Sequence, residues 1–315
     1  MSDPALAEPI QNLANTEWIN HKMANASIVD ELFTFQCVDQ QMCSSCLTCM
    51  ASTQTMTILS LPVPDQTSIT DLNGCLKAFT ALERLHGRDG LQCDKCQVAS
   101  IKHTNSATPM VRTRSADKHS IDQAFTPMSP IQSTDLEKLS STTSHCFLSS
   151  TPLPGKLSAP RLSQDLPSSK MLTEGFRRCL LRRLPQCLII QLLRFNYNPF
   201  TKKVFKIHTP VDVTLSNWEL SKFTYDSTVD REDMANVRKE NTYSLYAACV
   251  HIGGDNTGSG HYMAYCKAND QQWYRFDDEQ VHLIRNFNLE VEKTVFRENC
   301  YLLFYHRLHA ETKVE

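Results

Sequence analysis

The pattern of hydrophobic and polar positions predicts strands in the second half of the chain. Residues 188–195 read Leu-Ile-Ile-Gln-Leu-Leu-Arg-Phe, follow a Leu-Pro pair, and are apolar enough to lie inside a sheet. Similar strand-like runs occupy residues 243–251, 261–267, 273–276 and 301–307. The glycine-rich stretch 253–260 separates two of these runs and predicts a flexible turn, because glycine adopts turn conformations with little strain.

A helix is predicted in the first half of the chain, over residues 71–82. Its apolar residues recur three or four positions apart, as they do on one face of a helix. They are Leu72, Cys75, Leu76, Phe79 and Leu82. Together with the strand-rich second half, this predicts an α+β fold with an antiparallel sheet.

Residues 99–173 differ in composition from both flanking regions. Seven of the 14 prolines of the chain lie there, among many Ser and Thr residues and with no Tyr or Trp. Such a stretch buries too little apolar surface to offset the entropy lost on ordering. We therefore expect 99–173 to be a disordered Ser/Thr/Pro-rich insertion between two folded regions.

Composition and charge exclude several classes of protein. The 315 residues are 41% hydrophobic, and 32 Lys and Arg stand against 34 Asp and Glu, so no nucleic-acid partner is expected. No apolar run of about 18 residues occurs, so no membrane segment is expected in this chain. The N-terminal residues lack the order of a signal peptide. With 13 cysteines and no export signal, a reducing compartment is indicated, either cytoplasmic or nuclear.

Two cysteine clusters predict a structural zinc site. Cys93 and Cys96 form a CxxC pair, and the earlier cluster contains Cys43, Cys46 and Cys49. Two CxxC pairs on separate β-turns can meet as four thiolate ligands around zinc, which leaves no open position for catalysis. The first cluster allows either 43/46 or 46/49 as its pair. A redox CxxC explains only one pair, and small core cysteines are the remaining alternative.

A histidine and a carboxylate late in the chain suggest hydrolytic chemistry. His261 follows the glycine-rich turn, and Asp277 and Asp278 follow one hairpin later. A thiol hydrolase needs an imidazole to deprotonate its nucleophile and a carboxylate to hold the imidazole tautomer. The alternatives are a hydrogen-bonded core histidine and a solvated acidic turn.

Several segments resemble the ubiquitin-specific proteases, which are papain-like cysteine deubiquitinases. Residues 184–195 look like their LPxxLxxxLxRF segment, and residues 243–251, 258–262, 273–281 and 301–305 follow in the family's order. Phe33, residues 59–62 and residues 71–79, with the two CxxC pairs, resemble the zinc-ribbon fingers. The match covers roughly residues 28–98 and 176–308.

The resemblance implies a hand-like fold with zinc-ribbon fingers, an antiparallel β palm and a helical thumb. His261 matches the general base, Asp277 the residue that orients it, and Asp278 a neighbouring acid. Cys43, Cys46, Cys93 and Cys96 match the zinc ligands. Ubiquitin and ubiquitinated proteins are the implied partners.

The family's nucleophile box, Gly-x-x-Asn-x-Gly-Asn-Thr-Cys-Tyr, has no match in this chain. Only about 40 residues precede Cys43, too few for a thumb domain, so we expect the thumb to be largely missing. Cys37 lies nearest to where such a segment would join. No nucleophile is identified.

The expected organisation is an N-terminal remnant at 1–27, zinc-ribbon fingers with the first palm elements at 28–98, the insertion at 99–173, the palm at 174–310 and a tail at 311–315. The expected function is that of the C-terminal portion of a deubiquitinase, a truncated form that is inactive alone because the nucleophile is absent. The alternative is a non-catalytic ubiquitin-binding scaffold.

Overall fold

The computed structural model describes residues 4–65, 68–105, 146–148, 172–225, 241–254 and 260–308. Its helices are α1 Pro4–Ala24, α2 Ile28–Phe33, α3 Leu72–Phe79, α4 Asp94–Asn105, α5 Phe287–Glu292 and α6 Thr294–Asn299. Within these residues no helix is both long and apolar enough to span a membrane.

The strands are numbered in chain order. They are β1 Phe35–Cys43, β2 Cys49–Met56, β3 Ile58–Pro62, β4 Thr70–Asp71, β5 Glu83–Leu85, β6 Leu91–Gln92, β7 Cys146–Leu148, β8 Leu172–Thr173, β9 Gly175–Arg182, β10 Cys187–Leu193, β11 Phe195–Asn198, β12 Lys203–Lys206, β13 Val211–Asp212, β14 Trp218–Glu219, β15 Thr242–Ile252, β16 His261–Lys267, β17 Trp273–Asp277, β18 Gln280–Ile284 and β19 Cys300–Arg307.

The chain divides into two compact units. The first contains Met1–Ile10, Gln41–Ala51 and Arg84–Arg177, and the second contains Gln11–Gln40, Ser52–Glu83 and Arg178–Glu315. A five-stranded sheet has the order β5-β9-β1-β2-β7. The first unit has a small apolar cluster around Leu91, with Met50 and Leu85 packed against it.

The second unit is built on an eight-stranded sheet. Its order is β18-β17-β16-β15-β19-β10-β3, with β14 paired to β15. Its strands pair antiparallel except for β3 with β10, which are parallel and place Ile58 opposite Ile189. Leu188, Ile190 and Leu192 alternate into the core because successive strand residues point to opposite faces.

A buried arginine joins several elements of this unit. Arg194 lies between β10 and β11 and is only 1% exposed. Its guanidinium donates hydrogen bonds to four backbone carbonyls, those of Cys300 at 2.6 Å, Ile207 at 3.1 Å, Thr209 at 2.8 Å and Arg297 at 2.5 Å. Arg194 therefore ties the end of β10 to the start of β19 and to α6.

The predicted strands are present, with bounds that shift by one or two residues. The strand predicted over 188–195 ends at Leu193, where Arg194 leaves the sheet, and residues 261–267 form β16 as expected. Helix α3 begins where predicted, because the Asp71 side chain accepts a hydrogen bond from the Gly74 N–H. It ends at Phe79 rather than at residue 82.

Some regular structure lies where none was expected. Helix α4 continues to Asn105, past the predicted start of the insertion at residue 99, and β7 and β8 lie within 99–173. The rest of the predicted insertion, 106–145 and 149–171, lies outside the described residues. The N-terminal 27 residues include the 21-residue helix α1, which the sequence pattern did not reveal.

Candidate active site and metal site

The sheet register brings His261 and Asp277 together. His261 is the first residue of β16, and Asp277 is the last residue of its antiparallel neighbour β17. Because the two strands are antiparallel, with Ala264 opposite Phe276, the start of β16 and the end of β17 lie at the same end of the hairpin. His261 Nε2 lies 2.5 Å from Asp277 Oδ1.

The backbone conformation of Gly260 sets the direction in which the chain enters β16 at His261. Its φ of +132° lies in a region that L side chains rarely adopt, and an added Cβ would lie 2.4 Å from His251 Nε2 and 2.9 Å from the Gly253 carbonyl oxygen. His251 is buried and lies one strand away on β15, opposite Tyr262. A glycine is therefore required immediately before His261.

Asp278 occupies the turn between β17 and β18. Asp277 pairs with Gln280, so the hairpin loop has two residues, and Asp278 takes a left-handed φ of 49°. Aspartate tolerates this conformation better than most residues. The side-chain polar atoms of His261, Asp277 and Asp278 all lie within 4.8 Å of one another.

The two carboxylates raise the pKa of His261. The largest cause is the hydrogen bond that the ring donates to Asp277, and the negative charge of Asp278 adds to it, while partial desolvation opposes both. The imidazole is 46% exposed and the Asp277 carboxylate 32%, so the pair is open to solvent and to a large substrate.

No cysteine whose side chain the structure describes contacts His261. Within the described residues, the interactions of its ring are those with Asp277 and Asp278. Cys37 is 1% exposed, and a hydrogen bond with Cys179, together with burial, raises the pKa of its thiol. Burial likewise raises the pKa of Cys75 to about 11 and that of Cys300 to about 12.

The four cysteines predicted to bind zinc lie together in the first unit. Cys43 Sγ is 3.7 Å from Cys96 Sγ, Cys46 Sγ is 3.5 Å from Cys93 Sγ, and all four sulfur atoms lie within 4.8 Å of one another. Sulfur atoms bound to tetrahedral zinc at about 2.3 Å are themselves about 3.8 Å apart. The group therefore fits a zinc ion, and Cys49 is not part of it.

The two pairs are held by different local structures. Cys43 is the last residue of β1 and Cys46 lies in the turn that leads to β2, where Leu47 has a left-handed φ of 56°. Cys93 and Cys96 flank the first residues of α4, and the Gln97 N–H donates to the Cys93 carbonyl. The expectation that both pairs lie on β-turns is thus wrong for the second, because a helix also brings residues three apart onto one face.

Two threonines beside the cluster were not predicted from the sequence. Thr173 Oγ1 lies 3.4 Å from Cys43 Sγ, and Thr48 Oγ1 lies 3.1 Å from Cys46 Sγ. Burial acts to raise the pKa of Cys43, but hydrogen bonds with the Thr173 hydroxyl and with backbone N–H groups outweigh it and lower the pKa to about 6. Burial and the neighbouring thiols raise the pKa of Cys96, and burial raises that of Cys93, so the four thiols titrate as a group rather than singly.

Comparison with known proteins identifies the family. The family model described as ubiquitin carboxyl-terminal hydrolase matches residues 5–305, and the chain belongs to this family. The chain is 24% identical over 313 residues to ubiquitin carboxyl-terminal hydrolase 4 of Arabidopsis thaliana, covering 96% of this chain and 60% of that protein. It is 33% identical over 150 residues to ubiquitin carboxyl-terminal hydrolase 9 of the same plant, covering 47% of this chain but only 14% of that protein.

Solved structures confirm the fold. The SAGA Ubp8/Sgf11/Sus1/Sgf73 DUB module bound to ubiquitin aldehyde contains a chain that matches 96% of this one, with a TM-score of 0.55 and 17% identity. This chain covers 48% of that one. The predicted α+β fold of a ubiquitin-specific protease, with antiparallel sheets, is confirmed.

Proposed function

We propose that this chain supplies the base and the orienting carboxylate of a deubiquitinase, which hydrolyses the bond after the C terminus of ubiquitin. The observation that carries the proposal is the 2.5 Å contact between His261 Nε2 and Asp277 Oδ1, in a chain that the family model matches almost throughout. The ubiquitin-bound DUB module of similar fold supports ubiquitin as the partner.

The hydrogen bond to Asp277 determines which ring nitrogen of His261 acts as the base. Because Asp277 accepts a hydrogen bond from Nε2, the proton is held there and the lone pair lies on Nδ1. Nδ1 would take the proton from a thiol during attack on the carbonyl carbon, and the resulting imidazolium would return a proton to the leaving amine. Asp277 holds the ring orientation, and Asp278 adds negative charge that favours the imidazolium.

The 315 residues alone are proposed to lack hydrolytic activity. Apart from the zinc cluster and Cys49, the cysteines whose side chains the structure describes belong to the second unit, and none of these thiols contacts the His261 ring. Without a thiolate the covalent route through a thioester is closed, whatever the base can do. The same observation favours the second candidate function, a ubiquitin-binding protein without catalysis.

One experiment tests both candidates. The purified chain is mixed with a ubiquitin probe that carries an electrophile at its C terminus, and binding to unmodified ubiquitin is measured in parallel. We expect binding to ubiquitin and no covalent labelling. Lack of ubiquitin binding would contradict either function, and labelling that is lost in Cys37→Ser would show that Cys37 is a nucleophile after all.

We further propose that Cys43, Cys46, Cys93 and Cys96 bind one structural zinc ion. Sulfur–sulfur distances of 3.5 and 3.7 Å support four thiolate ligands, and such a set leaves no position for water. When bound, the ion would hold the β1–β2 turn against the start of α4.

A further inference from the structure

A buried threonine connects the two halves of the four-cysteine cluster in the first unit. Strand β8 pairs with β6, so Thr173 lies opposite Leu91, two residues before Cys93. Thr173 is 7% exposed, and its hydroxyl donates to the Leu91 carbonyl oxygen at 3.0 Å. The same Oγ1 atom lies 3.4 Å from Cys43 Sγ. Its side chain therefore touches the strand that leads to one cysteine pair and a cysteine of the other pair.

The two residues after Thr173 hold its backbone in place. The Ser44 N–H donates to the Glu174 carbonyl oxygen at 2.9 Å. A Cβ on Gly175 would lie 2.7 Å from the Met42 carbonyl oxygen, so the two chain segments approach closely there. The position of residue 173 is thus fixed by backbone contacts on both sides, and its hydroxyl is not needed to bring it to Cys43.

The hydroxyl of Thr173 has one proton and two acceptors within reach. A threonine hydroxyl can donate a single hydrogen bond. One acceptor is the neutral carbonyl of Leu91, and the other is Cys43 Sγ, which is a thiolate when it binds a metal. Hydrogen bonds to a charged acceptor are stronger than those to a neutral one, so a thiolate at Cys43 attracts the proton more than the carbonyl does.

A thiolate at Cys43 needs such donors because it has no access to water. Cys43 is 0% exposed, and a buried charge is costly unless it is paired and hydrogen-bonded. Four thiolates also carry more negative charge than one Zn²⁺ neutralises. The backbone N–H groups of Ser45 and Cys46 supply hydrogen bonds from within the same turn. Thr173 adds one from a strand that lies 130 residues away in the sequence.

We propose that Thr173 is a positioning residue of the zinc site, whose hydroxyl donates to the Cys43 thiolate and so raises the affinity of the four cysteines for zinc. The proposal rests on the zinc site proposed above. Groups that hydrogen-bond a ligand atom typically change metal affinity by about 10–100-fold. Because the pairing of β8 with β6 places the hydroxyl at Cys43, this pairing and zinc binding favour each other, by thermodynamic linkage.

The zinc affinity of the whole chain, measured by competition with a chromophoric chelator under reducing conditions, tests this role. Thr173→Val keeps the shape of the side chain without its hydroxyl and should bind zinc about tenfold more weakly. Thr173→Ser retains the hydroxyl and should bind like the unsubstituted chain. Thr80→Val is the control: it removes a hydroxyl that donates to the Leu76 carbonyl at 2.9 Å in the second unit, and it should leave the affinity unchanged.

Absorption of the Co²⁺-loaded chain separates this role from a general loss of stability. A hydrogen bond lowers the energy of the thiolate lone pairs, so the thiolate-to-cobalt charge-transfer band of Thr173→Val should move to longer wavelength. Partial unfolding alone would weaken the band without moving it.

The outcomes distinguish this proposal from the zinc site on which it rests. If Thr173→Val and Thr80→Val bind zinc alike, if Thr173→Ser is weakened as much as Thr173→Val, or if the cobalt band does not move, the role of Thr173 is overturned and the zinc site stands. An unsubstituted chain that binds no zinc would overturn the zinc site and this proposal with it.

Discussion

Gly260 has no room for a side chain, and a substitution there would disturb the position of the neighbouring His261. In Gly260→Ala, a Cβ would lie 2.4 Å from His251 Nε2, so β15 and β16 would have to shift apart where His261 begins its strand. We expect a loss of about 1–3 kcal/mol in the free energy of unfolding, from overpacking and backbone strain together. Denaturant unfolding measures the loss.

Gly253→Ala is the matched control for this prediction. Gly253 also has a positive φ, +71°, but an added Cβ would meet no atom of the described residues within 4 Å. Its cost should therefore be the backbone strain alone, about 1–2 kcal/mol, and the His261 environment should not change. If the two variants lost equal stability and left the His261 resonances alike, contact with His251 would not be the cause.

The charges around His261 predict the order of two pKa changes. Asp277→Asn should lower the pKa of His261 more than Asp278→Asn does, because the hydrogen bond that His261 donates to Asp277 is the largest cause of the raised pKa. Titration of the His261 ring resonances by NMR, assigned with His261→Gln, measures both shifts. An equal or greater effect of Asp278→Asn would contradict the geometry.

The raised pKa of His261 also determines how its contribution to stability changes with pH. A histidine whose pKa is raised in the folded state stabilises the protein below its unfolded pKa, near 6.5. This stabilisation is lost as the pH rises through the folded pKa. Since the ring is exposed, the effect on overall stability should be small.

At the scale of elements, the folding of the first unit should depend on zinc binding by the four cysteines. Cys93→Ser should reduce bound zinc well below one per chain, because three thiolates and a hydroxyl hold the ion far less tightly than four thiolates. Elemental analysis of the purified protein measures the zinc content. Loss of zinc should also make Gln41–Ala51 more accessible to proteolysis, because folding of such units depends on metal.

Cys49→Ser is the matched control for the zinc prediction. Cys49 belongs to the same sequence cluster but not to the group of four sulfur atoms. We expect this variant to retain one zinc per chain. Full zinc in Cys93→Ser, or its loss in Cys49→Ser, would contradict the assigned ligands.

Arg194 should be among the residues on which the second unit depends most. Arg194→Gln would leave several buried carbonyls without their donors, and we expect it to cost at least about 3 kcal/mol. Arg285→Gln, at an exposed position of the same unit, should change stability by less than about 0.5 kcal/mol. Comparable unfolding midpoints for the two variants would rule out the bridging role of Arg194.

The elements differ in how far the sequence predicted them. Helix α3 and strands β10, β15, β16, β17 and β19 have strong local periodicity and were found within one to three residues. Helix α1 was missed because Pro9 lies inside it and its polar residues are not confined to one face. The six-residue helices α5 and α6 are too short for a periodic signal, and α5 depends on an N-cap bond that the Leu289 N–H donates to Asn286 Oδ1.

At the scale of the whole molecule, the predicted site residues could be identified but their surroundings could not. His261, Asp277 and the CxxC pairs carry their own sequence signals, since histidine, aspartate and paired cysteines have few common roles at such spacings. Thr173 lies 130 residues from Cys43 and Arg182 lies 167 residues from Asn15, so only the folded chain shows these contacts.

The proposal that no thiol of this chain acts as the nucleophile predicts that a segment carrying such a thiol would supply activity. We expect that joining a thumb segment with its cysteine box, taken from a family member, would allow labelling by a C-terminal ubiquitin electrophile. His261→Ala should then abolish most turnover, and Asp277→Ala should reduce it less, because packing retains part of the ring orientation. Labelling that persists at full rate in His261→Ala would contradict the assigned base.

The pairing of β3 with β10 sets an order of events during synthesis. Ser60 on β3 bonds to Gln191 on β10, and 131 residues separate them in the chain. At a translation rate of about 5–20 residues per second, β3 leaves the ribosome roughly 7–25 s before its partner has been made. Leu59 and Leu61, fully buried in the finished sheet, have no strand β10 to pack with during that interval. Newly made chains should therefore depend on chaperones that shield short apolar segments until the second half of the sheet emerges.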